Sequence, residues 1–282
     1  MRILLTGRNG QVGWELERAL SSLGELIATD RATLDLGDPD AIKRAIRQAQ
    51  PDAIINAAAY TAVDRAESEA ELAMRVNGIA PGVLADEASR LGALLVHYST
   101  DYIFDGEKRL PYAETDSPNP INAYGRSKLE GEQRIAASGC RHLVMRTSWV
   151  YAPRGKNFFR TIANKLRAGD RLRVVDDQHG VPTEAKFIAE MTAALLRQPA
   201  EGTFNVVPQG LTTWHGFATE IGKRLGSRTV IDAIATRDYP TPARRPRNSV
   251  LDCARLSRQL GASPPQWQAL LDRCTEAWRQ ID

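Results

Sequence analysis

The sequence predicts an α/β fold in which a doubly wound parallel sheet is joined to a smaller mixed α/β lobe. Short apolar runs of strand length alternate with longer stretches of helical periodicity through the first half of the chain. A glycine-rich turn follows the first of these runs, and polar clusters follow the later ones. Such alternation is typical of a parallel sheet with helices on both faces, whose ligands bind beyond the carboxyl ends of the strands.

The composition excludes several classes of protein. The chain has 282 residues, of which 43% are apolar and 25% charged, as in ordinary globular domains. A net charge of +3 does not indicate nucleic-acid binding, and no apolar run reaches the roughly 20 residues of a membrane span. Three cysteines without Cys-x-x-Cys spacing favour a reducing compartment over a disulfide framework or a zinc site. The first residues are too short an apolar stretch for a signal peptide, so we expect a cytoplasmic location and assign no metal ligands.

The first predicted strand, residues 3–5, is followed by three evenly spaced glycines and then by a helix that reaches residue 23. Gly7, Gly10 and Gly13 allow the backbone to turn tightly and approach a pyrophosphate, to which the start of the helix offers free N–H groups. The same spacing also occurs in purely structural turns. Its place between a strand and a helix favours phosphate binding.

The second predicted strand, residues 25–29, supports this interpretation because it ends at Asp30. An acid about 20 residues after the glycine turn is the group that holds a ribose hydroxyl in dinucleotide-binding folds. The third strand, residues 53–56, leads into small residues at 57–59, which leave room for a cofactor or reflect tight packing. Together these features predict a dinucleotide site.

Two further strands end in polar clusters. A strand over residues 93–98 leads into residues 99–102, and a strand over residues 142–146 leads into residues 147–149. Since the carboxyl ends of parallel strands meet at one edge of the sheet, we expect these clusters to share one site with the glycine turn.

The other predicted elements complete the α/β pattern. A long helix is expected over residues 70–91, and Pro81 should kink or split it. Residues 237–247 contain four arginines and three prolines, which suits either a solvated loop or a site for a diphosphate. The second half also contains helices over residues 158–168, 184–197, 214–225 and 264–281 and a strand over residues 203–207.

Tyr124 and Lys128 form the candidate catalytic pair. They are four residues apart on a helix predicted to begin at Asn122, so they share one helical face. A nearby ammonium favours the phenolate and lowers a tyrosine pKa from its usual value of about 10. The pair taken alone also suits a solvated helix face, and its nearness to the strand ends is what favours catalysis.

These motifs resemble the extended short-chain dehydrogenase/reductases, which have a Rossmann-like fold. The resemblance rests on residues 7–13, 56–59, 99–102 and 124–128. Residues 10–16, 97–102, 146–151 and 241–246 narrow it to the dTDP-4-dehydrorhamnose reductase family, across nearly the whole chain. The resemblance implies NAD(P)H-dependent reduction of the C4 keto group of dTDP-4-dehydro-L-rhamnose, the last step toward dTDP-L-rhamnose for bacterial surface polysaccharides such as the lipopolysaccharide O-antigen.

The resemblance also implies roles for individual residues. Tyr124 is implied as the proton donor, Lys128 as its partner and a contact of the nicotinamide ribose, and Thr100 as a hydrogen-bond donor to the same substrate oxygen. The implied substrate contacts are Thr100, Asp101, Trp149 and Arg245. The expected cofactor contacts are Gly7, Gly10, Gln11, Val12, Gly13, Asp30, Arg31, Asp35, Leu36, Ala59, Tyr60, Thr61, Tyr124 and Lys128.

Cofactor choice and assembly are further expectations. Asp30 suits the ribose 2′-OH of NADH, whereas Arg31 suits the 2′-phosphate of NADPH, so we expect NADPH with appreciable NADH activity. Some members of the family form a magnesium-bridged dimer through a glutamate that matches Glu15, which raises Mg²⁺ at a dimer contact as a hypothesis. The chain is expected to be a monomer or a homodimer. The dinucleotide domain is expected over 1–149 and about 184–207, and the substrate lobe over 150–183 and about 208–282.

The same residues bear on three alternative functions. A sugar-nucleotide dehydratase of the superfamily carries Thr-Asp-Glu, but Tyr102 stands at the third position here. A non-catalytic regulatory relative that only binds NAD(P) commonly lacks the tyrosine or the lysine, and both are present. Another sugar-nucleotide 4-ketoreductase remains an open alternative.

Overall fold

The computed structural model describes residues 1–281 and has a six-stranded parallel sheet at its centre. The strands are β1 (Arg2–Thr6), β2 (Glu25–Ala28), β3 (Ala53–Asn56), β4 (Leu94–Thr100), β5 (His142–Thr147), β6 (Val150–Tyr151), β7 (Leu172–Val175), β8 (His179–Gly180), β9 (Thr183–Glu184), β10 (Gly202–Asn205), β11 (Thr212–Thr213) and β12 (Ile231–Ile234). The α-helices are α1 (Gln11–Ala19), α2 (Pro39–Ala49), α3 (Ala70–Met74), α4 (Ala80–Leu91), α5 (Ala123–Ala137), α6 (Phe158–Ala168), α7 (Ala185–Leu196), α8 (Trp214–Leu225), α9 (Ala254–Leu260) and α10 (Trp267–Arg279).

The strand order of the central sheet is β10-β5-β4-β3-β1-β2, and every neighbouring pair is parallel. The chain runs from β1 to β2 on one side and then crosses to β3 on the other side of β1. This reversal opens a crevice at the carboxyl ends of β1 and β3, which is where doubly wound sheets bind their ligands. The predicted fold class is confirmed.

Helices cover both faces of the sheet. On one face, α1 and α7 contribute Leu16 and Ile188 to an apolar cluster with the strands. On the other face, α2 and α4 contribute Ile46 and Leu84 to a second cluster. Because neither face meets water, all four residues of β3 are buried, as expected for a strand in the middle of a parallel sheet.

A third apolar cluster lies outside the sheet, where Phe159 of α6, Phe217 of α8 and Trp278 of α10 pack together. Next to it, β7 and β12 form a short parallel ribbon. The boundaries of the two predicted domains stay predictions, and the last residue of the second domain, Asp282, lies outside the described residues. Within residues 1–281, no helix has both the length and the apolar character that crossing a bilayer requires.

The helix predicted over residues 70–91 is divided. After α3 the chain takes a π-helical turn, Arg75–Ile79, and α4 then begins with Pro81 in its first turn. Proline has no N–H to donate to the carbonyl of Asn77, so the regular pattern of hydrogen bonds is interrupted there. The Asn77 carbonyl faces Gly131 of α5, where a Cβ would come within 2.3 Å of it. The glycine at position 131 thus lets α5 approach the π-helical turn closely.

Several predicted bounds were wrong by a few residues, and β4 is the informative case. It was expected to end at residue 98 but continues to Thr100, because Thr100 still pairs in register with Thr147 of β5. The short strands β6, β8, β9 and β11 have two residues each, too few to leave a periodic pattern in the sequence. The helices predicted over residues 158–168 and 214–225 have the predicted bounds.

Candidate active site

Helix α5 begins at the predicted residue because Asn122 caps it. The Asn122 side chain accepts a hydrogen bond from the Gly125 N–H at 2.7 Å and donates one to the carbonyl of Arg244 at 2.9 Å. A Cβ on Gly125 would lie 2.1 Å from the carbonyl of Tyr102, so only glycine permits this contact. The first turn of α5 is therefore held between the end of β4 and residues 237–247, the arginine-rich segment.

This placement brings Tyr124 to the polar residues that follow β4. The Tyr124 and Tyr102 rings meet edge to face, with centroids 6.0 Å apart. Thr100 accepts a hydrogen bond from the Tyr102 N–H at 3.1 Å and donates one to Asp101 Oδ1 at 2.9 Å. Thr100, Asp101 and Tyr124 thus form one group at the carboxyl end of β4.

Burial sets the proton states of this group. It raises the pKa of Tyr124 to about 12, with a further contribution from the Asp101 charge and an opposing hydrogen bond from Thr100. Burial also raises the pKa of Asp101 to about 7. The expectation that Lys128 lowers the pKa of Tyr124 was wrong for this structure. The Lys128 ammonium lies instead 3.0 Å from His97 Nε2, and burial lowers the pKa of Lys128 to about 8.

The glycine turn has the geometry of a phosphate cradle. Gly7 has φ of +74°, and a Cβ there would come within 2.7 Å of the Ala58 nitrogen on the neighbouring strand end. A Cβ on Gly13 would come within 2.0 Å of the Gly7 carbonyl. Gly10 precedes α1 without a side-chain cap, and the first turn of α1 contains no acid. The N–H groups of that turn, which includes Gln11 and Val12, are therefore free to bind an anion.

Asp30 follows β2 and accepts a hydrogen bond from Asn9 Nδ2 at 3.0 Å. Hydrogen bonds from Thr33 and its other neighbours hold the pKa of Asp30 below its usual value, so the carboxylate is ionised. Arg31 is exposed beside it. Sequence reasoning missed Arg8, which lies between motif glycines and pairs with Glu17 at 2.5 Å. The signal that could have identified Arg8 is the presence of a cation within the glycine turn.

The remaining predicted cofactor residues are spread around the crevice. Ala59, Tyr60 and Thr61 follow β3, and the Asn77 side chain binds both the N–H and the carbonyl of Tyr60, at 2.8 and 2.9 Å. Leu36 is a core residue with only 5% exposure, while the Asp35 carboxylate accepts a hydrogen bond from the Gly37 N–H. The π-helical turn that presents Asn77 therefore shapes this wall of the crevice.

Trp149 follows β5 in a left-handed conformation, with φ of +45°. Such a conformation costs a non-glycine residue about 1–3 kcal/mol, which the surrounding packing must offset. The indole stacks on Trp214 with centroids 3.7 Å apart, and it covers Gly180, where a Cβ would lie 2.5 Å from the ring. Trp149 thus links the central sheet to the outer lobe, the part of the fold that contains α6, α8 and α10.

Arg245 lies in a loop, but its side chain is largely shielded from solvent. Its side chain is 17% exposed and forms an ion pair with Asp64 at 2.9 Å. It lies at a cavity of about 1070 Å³ that is also lined by Lys108, Arg109, Arg244 and Arg247. Five cationic side chains therefore line one cavity with three acidic ones, Asp105, Glu107 and Asp177, and the excess of positive charge suits an anionic ligand. Sequence reasoning missed Lys108 and Arg109, because no local pattern brings that turn to the arginine-rich segment.

The residues around Glu15 do not fit a magnesium ion within one chain. The neighbouring carboxylates of Glu184 and Glu190 pair with Arg273, whose Nε and Nη1 lie 2.8 and 2.9 Å from them. Burial raises the pKa of Glu15, and Lys186, Arg18 and Arg273 oppose that rise. Among residues 1–281 no three His, Cys, Asp or Glu side chains converge in a way that would hold a metal. The hypothesis of Mg²⁺ at Glu15 gains no support.

Several known proteins are similar to this chain in sequence and in overall fold. The family described as the RmlD substrate binding domain matches residues 1–280. The dTDP-4-dehydrorhamnose reductase of Burkholderia thailandensis is 46% identical over 97% of this chain and 98% of that protein. The crystal structure of dTDP-4-dehydrorhamnose reductase from Clostridium acetobutylicum has a TM-score of 0.95 at 36% identity, over 99% of this chain and 100% of the other. The Bacillus anthracis enzyme in complex with NADP has a TM-score of 0.94 at 32% identity, over 98% and 99%.

Proposed function

The chain belongs to the dTDP-4-dehydrorhamnose reductase family, and on that premise we propose that it reduces the C4 keto group of dTDP-4-dehydro-L-rhamnose to give dTDP-L-rhamnose. The observation that carries the proposal is the group formed by buried Thr100 and Asp101 and half-buried Tyr124 at the carboxyl end of β4. It adjoins the crevice where a doubly wound sheet binds its cofactor. The proposal includes the cytoplasmic location expected from composition.

The glycine turn fits a dinucleotide because its cradle excludes side chains. Gly7 and Gly13 let the turn pack against Ala58 and against itself, where any Cβ would clash, and the free N–H groups at the start of α1 suit a pyrophosphate. When bound, the nicotinamide cofactor supplies the hydride for the reduction. Arg8 and Arg31 offer charge for a 2′-phosphate and Asp30 offers an acceptor for a 2′-OH, which supports NADPH with appreciable NADH activity.

Tyr124 supplies the proton in the proposed reaction. With a pKa of about 12 it keeps its proton at neutral pH, yet it is acidic enough to protonate an alkoxide forming on the substrate. The Thr100 hydroxyl proton points to Asp101 Oδ1 in this structure, and in the reaction it turns to the same substrate oxygen and so orients the carbonyl. Lys128, whose Nζ lies against His97, has the proposed role of binding the nicotinamide ribose.

The cationic cavity supports a nucleoside diphosphate sugar as substrate. Arg245 is anchored by Asp64, and its Nη1 atom has no hydrogen-bond partner among the described residues. Guanidinium groups of this kind bind phosphate oxygens through paired hydrogen bonds.

The test is NADPH oxidation with freshly prepared dTDP-4-dehydrorhamnose, compared with NADH under the same conditions. We expect turnover with both cofactors and a kcat/KM ratio below about a thousandfold. Turnover only with a different 4-keto sugar nucleotide would establish the alternative ketoreductase. Binding of NADPH without turnover of any such substrate would establish the regulatory relative.

A further inference from the structure

A row of buried polar side chains crosses three neighbouring strands and ends at Lys128. Thr6 of β1, Asn56 of β3 and His97 of β4 lie opposite one another in the sheet register. Thr6 Oγ1 donates to Asn56 Oδ1 at 2.7 Å, and Asn56 Nδ2 lies 3.0 Å from His97 Nδ1. His97 Nε2 lies 3.0 Å from Lys128 Nζ. Each of the four side chains is 1% exposed.

Such a row has no obvious value for stability. The middle strands of a doubly covered parallel sheet are ordinarily apolar, and buried polar groups cost free energy unless every one is paired. Replacing a buried polar network with well-packed apolar residues is often neutral or stabilising. The row is nevertheless continuous, and it lies at the carboxyl edge of the sheet beside the candidate active site.

The row can accompany Lys128 in either proton state. When Lys128 is a neutral amine, Asn56 donates to His97 Nδ1 and the Nε2–H donates to the amine. When Lys128 is an ammonium, it donates to Nε2, and the Nδ1–H then donates to the Asn56 carbonyl oxygen after the amide turns over. Burial keeps the pKa of His97 well below its usual value, so the imidazole is neutral in both arrangements.

We propose that His97 is a positioning residue that holds Lys128 Nζ at the active site, with Asn56 and Thr6 fixing the imidazole from behind. The proposal rests on the proposed function for its kinetic consequences. It also makes a prediction about cofactor binding that does not require turnover, since Lys128 is expected to contact the nicotinamide ribose.

The test compares His97→Leu, His97→Gln and Lys128→Met by NADPH fluorescence titration and steady-state kinetics. His97→Leu removes the partner of Lys128, and we expect NADPH Kd to rise and kcat to fall, each by about tenfold. His97→Gln can place an amide group near the position of Nε2 and should restore most of both values. The double variant His97→Leu/Lys128→Met should be no worse than Lys128→Met alone, because His97 acts through Lys128.

Tyr98→Phe is the matched control on the next residue of β4. It removes the buried hydrogen bond with Thr192, which measures 2.8 Å, on the opposite face of the sheet. It should lower Tm and leave NADPH Kd unchanged. If His97→Leu fails to fold, Thr6→Val replaces it in the test. We expect a smaller rise in NADPH Kd for Thr6→Val, and no further rise when Lys128→Met is already present.

Additive effects of His97→Leu and Lys128→Met would overturn the proposal, as would a wild-type NADPH Kd in His97→Leu. An equal rise in NADPH Kd for Tyr98→Phe would also overturn the proposal, because general destabilisation would then explain the result for His97→Leu. A wild-type protein that binds NADPH but reduces no substrate defeats the proposed function alone, because the Kd comparison still decides the role of His97.

Discussion

Among single residues, Tyr124 shows most clearly how burial and charge compete. The sequence places Lys128 one helical turn away, which favours the tyrosinate, but the structure buries the phenol and raises its pKa to about 12. Burial is the largest cause of this rise, and the Lys128 ammonium lies 3.0 Å from His97 Nε2. The consequence is a tyrosine that retains its proton until the reaction itself demands it.

Tyr124→Phe should lower kcat by about 10²–10⁴-fold, because it removes the proposed proton donor and keeps the ring. NADPH Kd should remain within about twofold of wild type, since the phenol contributes little to ground-state binding. Lys128→Met, in contrast, should lower kcat and weaken NADPH binding together. Near-normal turnover in Tyr124→Phe would show that the proton comes from another group.

Asp101 predicts a pH-dependent stability. Its pKa of about 7 in the folded protein lies above its unfolded value, so its contribution to stability is fully present at low pH and is lost as the pH rises through 7. The side chain in Asp101→Asn cannot ionise. The unfolding free energy of this variant, relative to wild type, should therefore rise by at least about 1 kcal/mol between pH 5 and pH 8.5. Thermal unfolding at both values measures the difference.

Asp105→Asn is the control of opposite sign. Backbone hydrogen bonding from Glu107 is the main cause that lowers the pKa of Asp105, so its carboxylate is ionised and stabilising at both pH values. This variant should be less stable than wild type throughout and show no gain at pH 8.5. A constant difference for Asp101→Asn would mean that burial does not raise its pKa.

Among the elements, α5 links local sequence to the active site. Its first turn is fixed at three points, by the Asn122 cap, by the contact of Asn122 with the Arg244 carbonyl, and by the close approach of Gly125 to Tyr102. On its other side, Asn77 of the π-helical turn donates to Ser127 at 3.0 Å. The helix is therefore positioned by contacts at its start, where Tyr124 lies.

Asn122→Ala should cost about 1–2 kcal/mol of unfolding free energy through the lost cap and also lower kcat, because the first turn carries Tyr124. Asn122→Asp keeps an oxygen for the Gly125 N–H and loses the donor to Arg244. It should regain most of the stability but less of the activity. Denaturant unfolding beside steady-state kinetics separates the two effects, and equal recovery of both would assign the whole effect to capping.

In the whole molecule, the site depends on segments that meet only after folding. The arginine-rich segment reaches Asp64 and the start of α5, while Trp149 stacks on Trp214 of the outer lobe. The cavity lined by Lys108, Arg109 and the arginines of this segment is therefore a property of the assembled fold. Its size and charge suit a nucleoside diphosphate sugar better than a small uncharged ketone.

Arg245→Ala should raise the KM for the sugar nucleotide by about ten- to a hundredfold, since charge-assisted hydrogen bonds are worth about 1.5–3 kcal/mol. NADPH Kd should not change. Asp64→Asn keeps the arginine but weakens its anchor, and a smaller rise in KM is expected. An unchanged KM in Arg245→Ala would return this segment to the solvated-loop interpretation.

The sequence by itself determined the parallel sheet, the glycine turn, and the start of α5 with Tyr124 and Lys128 on one face. These follow from apolar periodicity, glycine spacing and helix capping, which are properties of residues close together in the chain. Only the tertiary structure decided that Arg245 pairs with Asp64, 181 residues away, and that His97 holds Lys128, 31 residues away. It also decided the pKa of Tyr124. Those outcomes depend on which distant side chains are buried together, because desolvation and ion pairing act through space rather than along the sequence.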